Sequence, residues 1–511
     1  MYGCPVDRMV FLASLKRPEP ACFPGRAHDQ KQWGVDMKKQ KLTSVILLFL
    51  IFAVAVVCGG GGGGTSFSHP EPDATCGTDG VDNSCTPDGL ETLINAATDG
   101  DVIAIATGTH EWSSFVTVNR SVVITGWGSC PDCGGNDPGA SAIWPTELLV
   151  DSNPCFIVNV PSAGPLVRIT GLSFSGSGPV HDYTDGANSG IIAEDTDNLA
   201  GYRFDNMRFN ENVLNRCVFR TNSIHAYGVI DHVDSVNTAP SGGRFFHSTG
   251  HGYDGGSTVW SRETVWGSAD FDFVEDSTVI FTTENSISPG ICLDQQGGGR
   301  TVFRNSYLQN CDLGNHGTES GWPSRSGVAQ EVYGNEIVWT GDPGDRYHTA
   351  LFWRGGSIYY HNNTVRNFQS LLKMSVFRVG GDIPIDTDNS CGPCGSPACS
   401  VYDGPGPPPG YPCIDQQGMG KAAGVGLDQT QPQERNKAYI WSNTLDGTGW
   451  GAEDEVCILQ EDEKELVNCD PEYIVKGRDF EYSLDDTAHP ILADSTSYQP
   501  YQYPHPYTQI N

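Results

Sequence analysis

Short apolar runs recur along this chain, each with one polar residue set into it at the same place. In "RTVFRNSYLQN", residues 300–310, Phe303, Tyr307 and Leu308 suit a β-strand, yet Asn305 is an amide that strands avoid. "FVEDSTVIF" carries Asp276 in that place, "EVYGNEIVW" carries Asn335, and "IYYHNNTVRN" carries Asn362. These positions stand 29, 30 and 27 residues apart. Weaker copies lie upstream at Gly171, Asn206 and His232 with uneven spacing, and a late copy places Asn443 in the same frame.

A period near 29 with three short apolar runs and turn residues between them predicts a parallel β-solenoid, one coil per repeat. Adjacent coils hydrogen-bond at about 4.8 Å, so an Asn or Asp at one corner of each coil forms a ladder that satisfies the bend. Uneven spacings are read as side loops leaving the coil. Before the first coil, Thr86-Pro87 starts a predicted helix, and Leu90, Leu93, Ile94 and Ala97 make its apolar face. That helix is expected to cover the open end of the stack, whose unpaired edge would otherwise recruit other chains.

Charge narrows the partners. Lys+Arg total 30 against 62 Asp+Glu, a net charge of -32. Such a surface argues against nucleic acid and anionic membranes, whose phosphates need basic side chains. Calcium is compatible with it, though neither "DTDN" (195–198 and 386–389) has the glycine and terminal Glu of an EF-hand loop. No metal ligand set is identified.

The start of the chain reads as an export signal. From Met37, "MKKQKLTSVILLFLIFAVAVVCGGGGGG" has a basic start and an apolar core ending at Cys58 and a glycine tract. Cys58 in that place resembles the lipidated residue of a bacterial lipoprotein, although Val57 stands where a small residue is expected; ordinary cleavage and free secretion is the alternative. Residues 1–36 are expected to be an unstructured upstream extension, 37–57 the signal and 58–75 a tether. The β-helix is assigned to 76–380, a Cys/Pro/Gly-rich insertion to 381–436, a late coil to 437–447 and a C-terminal segment to 448–511. Fourteen of the 17 Cys follow Cys58, many in local clusters such as Cys76 and Cys85, or Cys391, Cys394, Cys399 and Cys413. In an exported chain such clusters predict disulfides rather than zinc.

"DGLETLINAATDGDVIAIATGTHEW" resembles the opening of right-handed parallel β-helix proteins of the pectin-lyase-like superfamily. "AYGVIDH", "GGRTVFRN", "NHGTES" and the ending "YQPYQYPHPY" resemble an exported bacterial subgroup of it. The resemblance implies an all-β, right-handed parallel β-helix with an N-terminal capping helix and long side loops. It does not fix an activity, because folds host many functions. Lyases of the superfamily use a Lys or Arg base, yet no lysine lies between Lys41 and Lys373. Lys373, Arg354 and Arg378 are the remaining candidates. The hydrolases' Gly-His-Gly has a match at residues 250–252 without its accompanying acidic pair.

Candidate chemistry concentrates between Asp276 and Asn362. Asp294, His316 and Glu319 are the acid/base candidates, and Arg300, Trp322, Trp353 and Arg354 the candidate sugar contacts. Asp294 lies 18 residues after Asp276 and Trp353 lies 18 after Asn335, which predicts a shared face. Neighbouring coils place carboxylates about 5 to 10 Å apart, the range glycosidases use. The expectation is a monomeric exported protein, surface-anchored or secreted, engaging a polysaccharide or cell-surface glycan as a lyase or hydrolase. A non-catalytic adhesin or glycan-binding scaffold is the alternative.

Overall fold

The computed structural model describes residues 71–510 apart from segments 127–145, 151–154, 160–163, 177–188, 196–200, 211–216, 224–226, 238–242, 251–256, 283–289, 318–324, 342–348, 376–414, 423–432, 447–455, 460–473 and 484–497, and positions 369 and 475. The expected signal, Cys58, Glu319, Trp322 and the Cys391–Cys413 cluster therefore lie outside the described residues, as do all of the second DTDN and most of the first.

Strands stack in parallel, each pairing with the strand one coil later, as in Asp272–Glu275 on Arg300–Arg304 on Ala329–Tyr333 on Ser357–His361. Three such columns run through the described residues, giving a right-handed parallel β-helix. The first column holds the strands just named. The second holds the short strands after them, among them Thr278–Phe281, Tyr307–Gln309, Glu336–Val338 and Thr364–Arg366. The third is a separate ten-stranded sheet that includes Cys217–Ser223, Arg244–Thr249, Gly290–Gln296, Cys311–Asn315, Thr349–Trp353 and Ser370–Ser375. The coils continue past residue 447, since Val456–Leu459 and Phe480–Ser483 extend the third and first sheets. Inside, one continuous apolar core runs from Leu90 and Ile94 to Ile440 and Phe480.

The helix forms where its cap residues place it. Thr86 Oγ1 accepts the Gly89 N–H at 3.1 Å, Pro87 occupies the first turn, and Leu90 and Ile94 turn inward onto the first coil. A Cys76–Cys85 disulfide ties down the approach to it, and Cys292–Cys311 joins neighbouring coils of the third sheet.

The periodic amide resolves into two adjacent columns. Gly171, Asn206, His232, Asp276, Asn305, Gly334, Asn362 and Ser442 all turn the corner between the first and second sheets with positive φ, from 49° to 72°. Asn and Asp tolerate that left-handed bend better than other side chains. Asn335 and Asn443 are not in this column; they stand one residue further on, beside Asn363, because Gly334 and Ser442 take the bend. The second column is a buried ladder. Asn335 Oδ1 accepts from Ser306 N at 3.0 Å, Asn363 Oδ1 from Asn335 Nδ2 at 2.9 Å, and Asn443 Oδ1 from Asn363 Nδ2 at 2.9 Å. Ser306 Oγ continues it to the Ser277 N–H. Bend and ladder are separate jobs done by neighbouring residues.

The tail, residues 498–510, runs back across the outer face of the first sheet. Arg304 donates to the Tyr501 and Gln502 carbonyls, Arg203 to those of Tyr507 and Ile510, and Glu275 accepts the His505 N–H at 2.9 Å. Beneath it Tyr333, His361 and Trp441 stack coil on coil, with centroids 4.8 and 4.1 Å apart. Trp266 adds a second cover, stacked 3.8 Å over Tyr359.

Candidate functional site

With the first sheet covered, the polar outer side of the third sheet is the candidate site among the described residues, although Asp294 and His247 on it are themselves buried. Register fixes its outward column: Arg220, His247, Asp294, Gly314, Phe352 and Lys373 stand on six successive coils. The residue before each one points into the core: Phe219, Phe246, Leu293, Leu313, Leu351 and Leu372. Alternation along a strand places the two sets on opposite faces. Arg244 and Asp312 flank the column on one side, His316 and Arg354 on the other.

Asp294 is its electrostatic centre. The carboxylate is 3% exposed, with Oδ2 2.6 Å from Arg244 Nε and Oδ1 2.9 Å from His316 Nε2. Burial alone would raise its pKa, but His316 and Arg244 outweigh it and hold Asp294 well below the usual range. One coil earlier, burial pushes His247 down to about 3; Arg220, Arg244 and His316 add to this and Asp294 opposes it. One coil later, burial and the Asp294 charge push Asp312 up to about 7, against Arg354 and Lys373. Two carboxylates on neighbouring strands therefore differ in protonation near neutrality. The Nδ1 of His316 and the Nε2 of His247 are buried without a hydrogen-bond partner among the described residues.

Gly314 lies two residues after Asp312 in the strand Cys311–Asn315 and two before His316, which stands just past its end, and it lies between Asp294 and Phe352 across strands. A Cβ there would meet only the Leu293 and Phe352 carbonyls, at 3.5 and 3.9 Å. Both are ordinary van der Waals contacts, so the position accepts a side chain's first atom as it stands. Phe352, half-buried, is its partner on the next strand, with Arg354 and Lys373 at 5.2 and 5.0 Å from the ring centroid.

Of the candidates among the described residues, the structure brings together Asp294, His316 and Arg354, and not Trp353 or Arg300. Trp353 falls one residue out of Asp294's column, because Asn335 is one residue past the bend from which both were measured. Its ring lies in the core with no exposed surface, and Nε1 donates to the Gly355 carbonyl at 2.7 Å. Phe352 takes the outward place. Arg300 is buried elsewhere, its guanidinium donating to the Gly298, Val259 and Arg262 carbonyls. Burial and Arg262 push it down to about 9. It braces the 259–262 turn. Arg220, Arg244, His247, Asp312 and Phe352 escaped the sequence reading. The signal was there as a repeated pair, an inward Phe or Leu followed by an outward residue, once per coil.

Among the described residues no group of three or more His, Cys, Asp or Glu is placed to hold a metal ion, and no helix is long and apolar enough to cross a membrane. No protein-family model matches the chain, and no curated protein matches it. Solved structures similar to it include two polysaccharide lyases. One is an alginate lyase from Paenibacillus sp. str. FPU-7, at 13% identity and TM-score 0.33, covering 59% of this chain and 93% of that one. The other is a PL6 family polysaccharide lyase from Pseudopedobacter saltans, at 12% identity and TM-score 0.33, covering 81% and 98%. Nothing in the chemistry of the outward face rests on either.

Proposed function

We propose that this protein is exported, by lipidation at Cys58 or by secretion, and engages an anionic polysaccharide along the outer face of its third sheet. The observation that carries the reading is the six-coil column from Arg220 to Lys373 with its flanking residues. On a chain of net charge -32, it gathers Arg220, Arg244, Arg354 and Lys373 on one side of one sheet. A polymer carrying carboxylates or sulfates would be drawn to that side and repelled by the rest of the surface. Phe352 offers an apolar platform to a sugar face, and the Asp294–His316 pair supplies oriented proton-handling groups. Ion pairing at both Asp294 oxygens also suits a rigid, non-catalytic glycan-binding scaffold, the second reading.

Gly314 gives the test. Gly314→Trp adds an outward side chain at a position where its Cβ meets only ordinary contacts, so folding is expected to be kept. Binding of the full chain to polyuronates and sulfated polysaccharides is expected to fall at least tenfold, and wild-type binding to weaken as salt rises. Unchanged binding by Gly314→Trp would remove this face from the assignment.

A further inference from the structure

We infer that the tail, residues 498–510, and the side loop carrying Trp266 and Gly267 form one cover over the first sheet, latched on Glu331 and loosened as pH rises towards neutrality. The inference does not rest on the polysaccharide reading.

One carboxyl group joins the two segments. Glu331 stands on the first sheet between Val302 and Tyr359 of the neighbouring strands, with no exposed surface. Its Oε1 accepts the Gly267 N–H and its Oε2 accepts the Tyr498 hydroxyl, both at 2.7 Å. The loop and the tail also meet each other. A Cβ on Gly267 would collide with the Gln499 carbonyl oxygen, so the two backbones touch where only glycine fits. Both segments close on the same ring. Trp266 stacks on Tyr359 at 3.8 Å, and Tyr498 meets that ring edge-on at 4.8 Å. Lifting either segment admits water to Glu331 and takes a wall from the other, so the two open together.

The latch holds a proton. Burial pushes Glu331 up to about 7 from an ordinary 4.5, against the Gly267 and Tyr498 hydrogen bonds and the Arg304 charge. The groups around it are Tyr333 on its own strand, Arg304 on the preceding one, Tyr359 and His361 on the next, and Tyr498 in the tail. Burial holds all three tyrosines above their ordinary range, so they stay neutral here. In the closed state the protonated acid can donate to the Tyr498 oxygen, whose own hydrogen then turns to His361 Nε2, 3.5 Å away. On opening, Glu331 meets water, returns to its ordinary value and gives its proton to solvent. Closure is therefore strongest below about pH 4.5 and weakens by about tenfold per pH unit up to about 7, where the effect levels off. What the cover hides is a face of buried rings, Phe273, Tyr333, Tyr359, His361 and Trp441.

Hydrogen exchange of the full chain, read by mass spectrometry and divided by the intrinsic rate at each pH, tests the latch. Protection in peptides from 261–271 and 498–510 is expected to fall in parallel, about tenfold per pH unit between pH 5 and 7. Glu331→Gln, which resembles the protonated acid, should keep the cover and flatten that dependence. Tyr498→Phe should lower protection in both segments by the same factor. Neither substitution should change exchange in the third-sheet strand Gly290–Gln296. Three results overturn the inference: the two segments losing protection at different pH values, Tyr498→Phe freeing the tail alone, or Glu331→Gln keeping the wild-type dependence, which would make another group, such as His361, the switch.

Discussion

Adjacent residues with the same side chain should differ sharply in what they contribute. Asn362 makes the bend with φ 54° and an exposed side chain, whereas Asn363 is 1% exposed in the ladder. Asn363 Nδ2 donates to Asn443 Oδ1, the Val332 carbonyl and the His361 carbonyl, at 2.9, 2.9 and 3.0 Å. Its Oδ1 accepts from Asn335 N and Nδ2, at 3.1 and 2.9 Å. Asn363→Ala removes all five and strands the Asn335 N–H away from water. At a net worth of about 1 kcal/mol per bond, partly recovered by relaxation, with about 1–3 kcal/mol for the stranded donor, the expected loss is about 3–5 kcal/mol. Asn362→Gly keeps the bend available and is expected to change stability by less than about 1 kcal/mol. Guanidinium unfolding of both variants, compared at constant m, measures the difference as a shift in midpoint. Equal midpoints for the two variants would mean that the ladder does not hold the coils together.

Three further outcomes follow from the packing. Arg304→Met leaves Glu275 buried without its 2.7 Å guanidinium partner and releases the Tyr501 and Gln502 carbonyls. It should cost about 3–5 kcal/mol and make residues 498–510 cleavable in limited proteolysis. Burial pushes Glu331 up to about 7 from an ordinary 4.5, against hydrogen bonds from Gly267 and Tyr498. The folded state then holds a proton that the unfolded chain has lost, so this group's contribution falls as pH rises from about 4.5 to about 7. Glu331→Gln should gain on wild type across that window by on the order of 3 kcal/mol, read from unfolding midpoints at pH 5 and pH 8. Trp353→Phe should lower stability, since the ring is wholly inside, and leave polysaccharide affinity unchanged; a fall in affinity at equal fold would put Trp353 on the binding face after all.

The coil period, the capping helix and the corner residues were legible because each is a local necessity: a bend needs a residue that tolerates positive φ, and a helix start needs a cap. What the sequence hid was register. Asn305 and Asn335 look alike in their frames, yet Gly334 already supplies the bend and frees Asn335 for the ladder. That slip of one residue turns Trp353 inward and Phe352 outward, since side chains alternate along a strand. Asp312 was hidden for a related reason, because the pairing shifts between Ile291 and Leu293 and moves it away from simple counting. Arg300 looked like a groove residue because charge marks it, but three backbone carbonyls claim its guanidinium.

Why chemistry should gather on the third sheet follows from strand width and cover. The second sheet's strands from Tyr307–Gln309 onward are three residues long, too narrow to set two groups on either side of a central position. The first sheet's strands are wider, but the tail and Trp266 occupy their outer face with stacked rings and buried ion pairs. Third-sheet strands reach seven residues, as in Cys217–Ser223 and Gly290–Gln296. They can therefore present a central column with flanking residues on both sides. Asp312 and Gly314 lie in the five-residue strand Cys311–Asn315 with His316 just past its end, and the neighbouring strands bring Asp294, Arg354 and Lys373 beside them. A solenoid with the same ladder but its tail laid across the third sheet would keep its stability and lose that face.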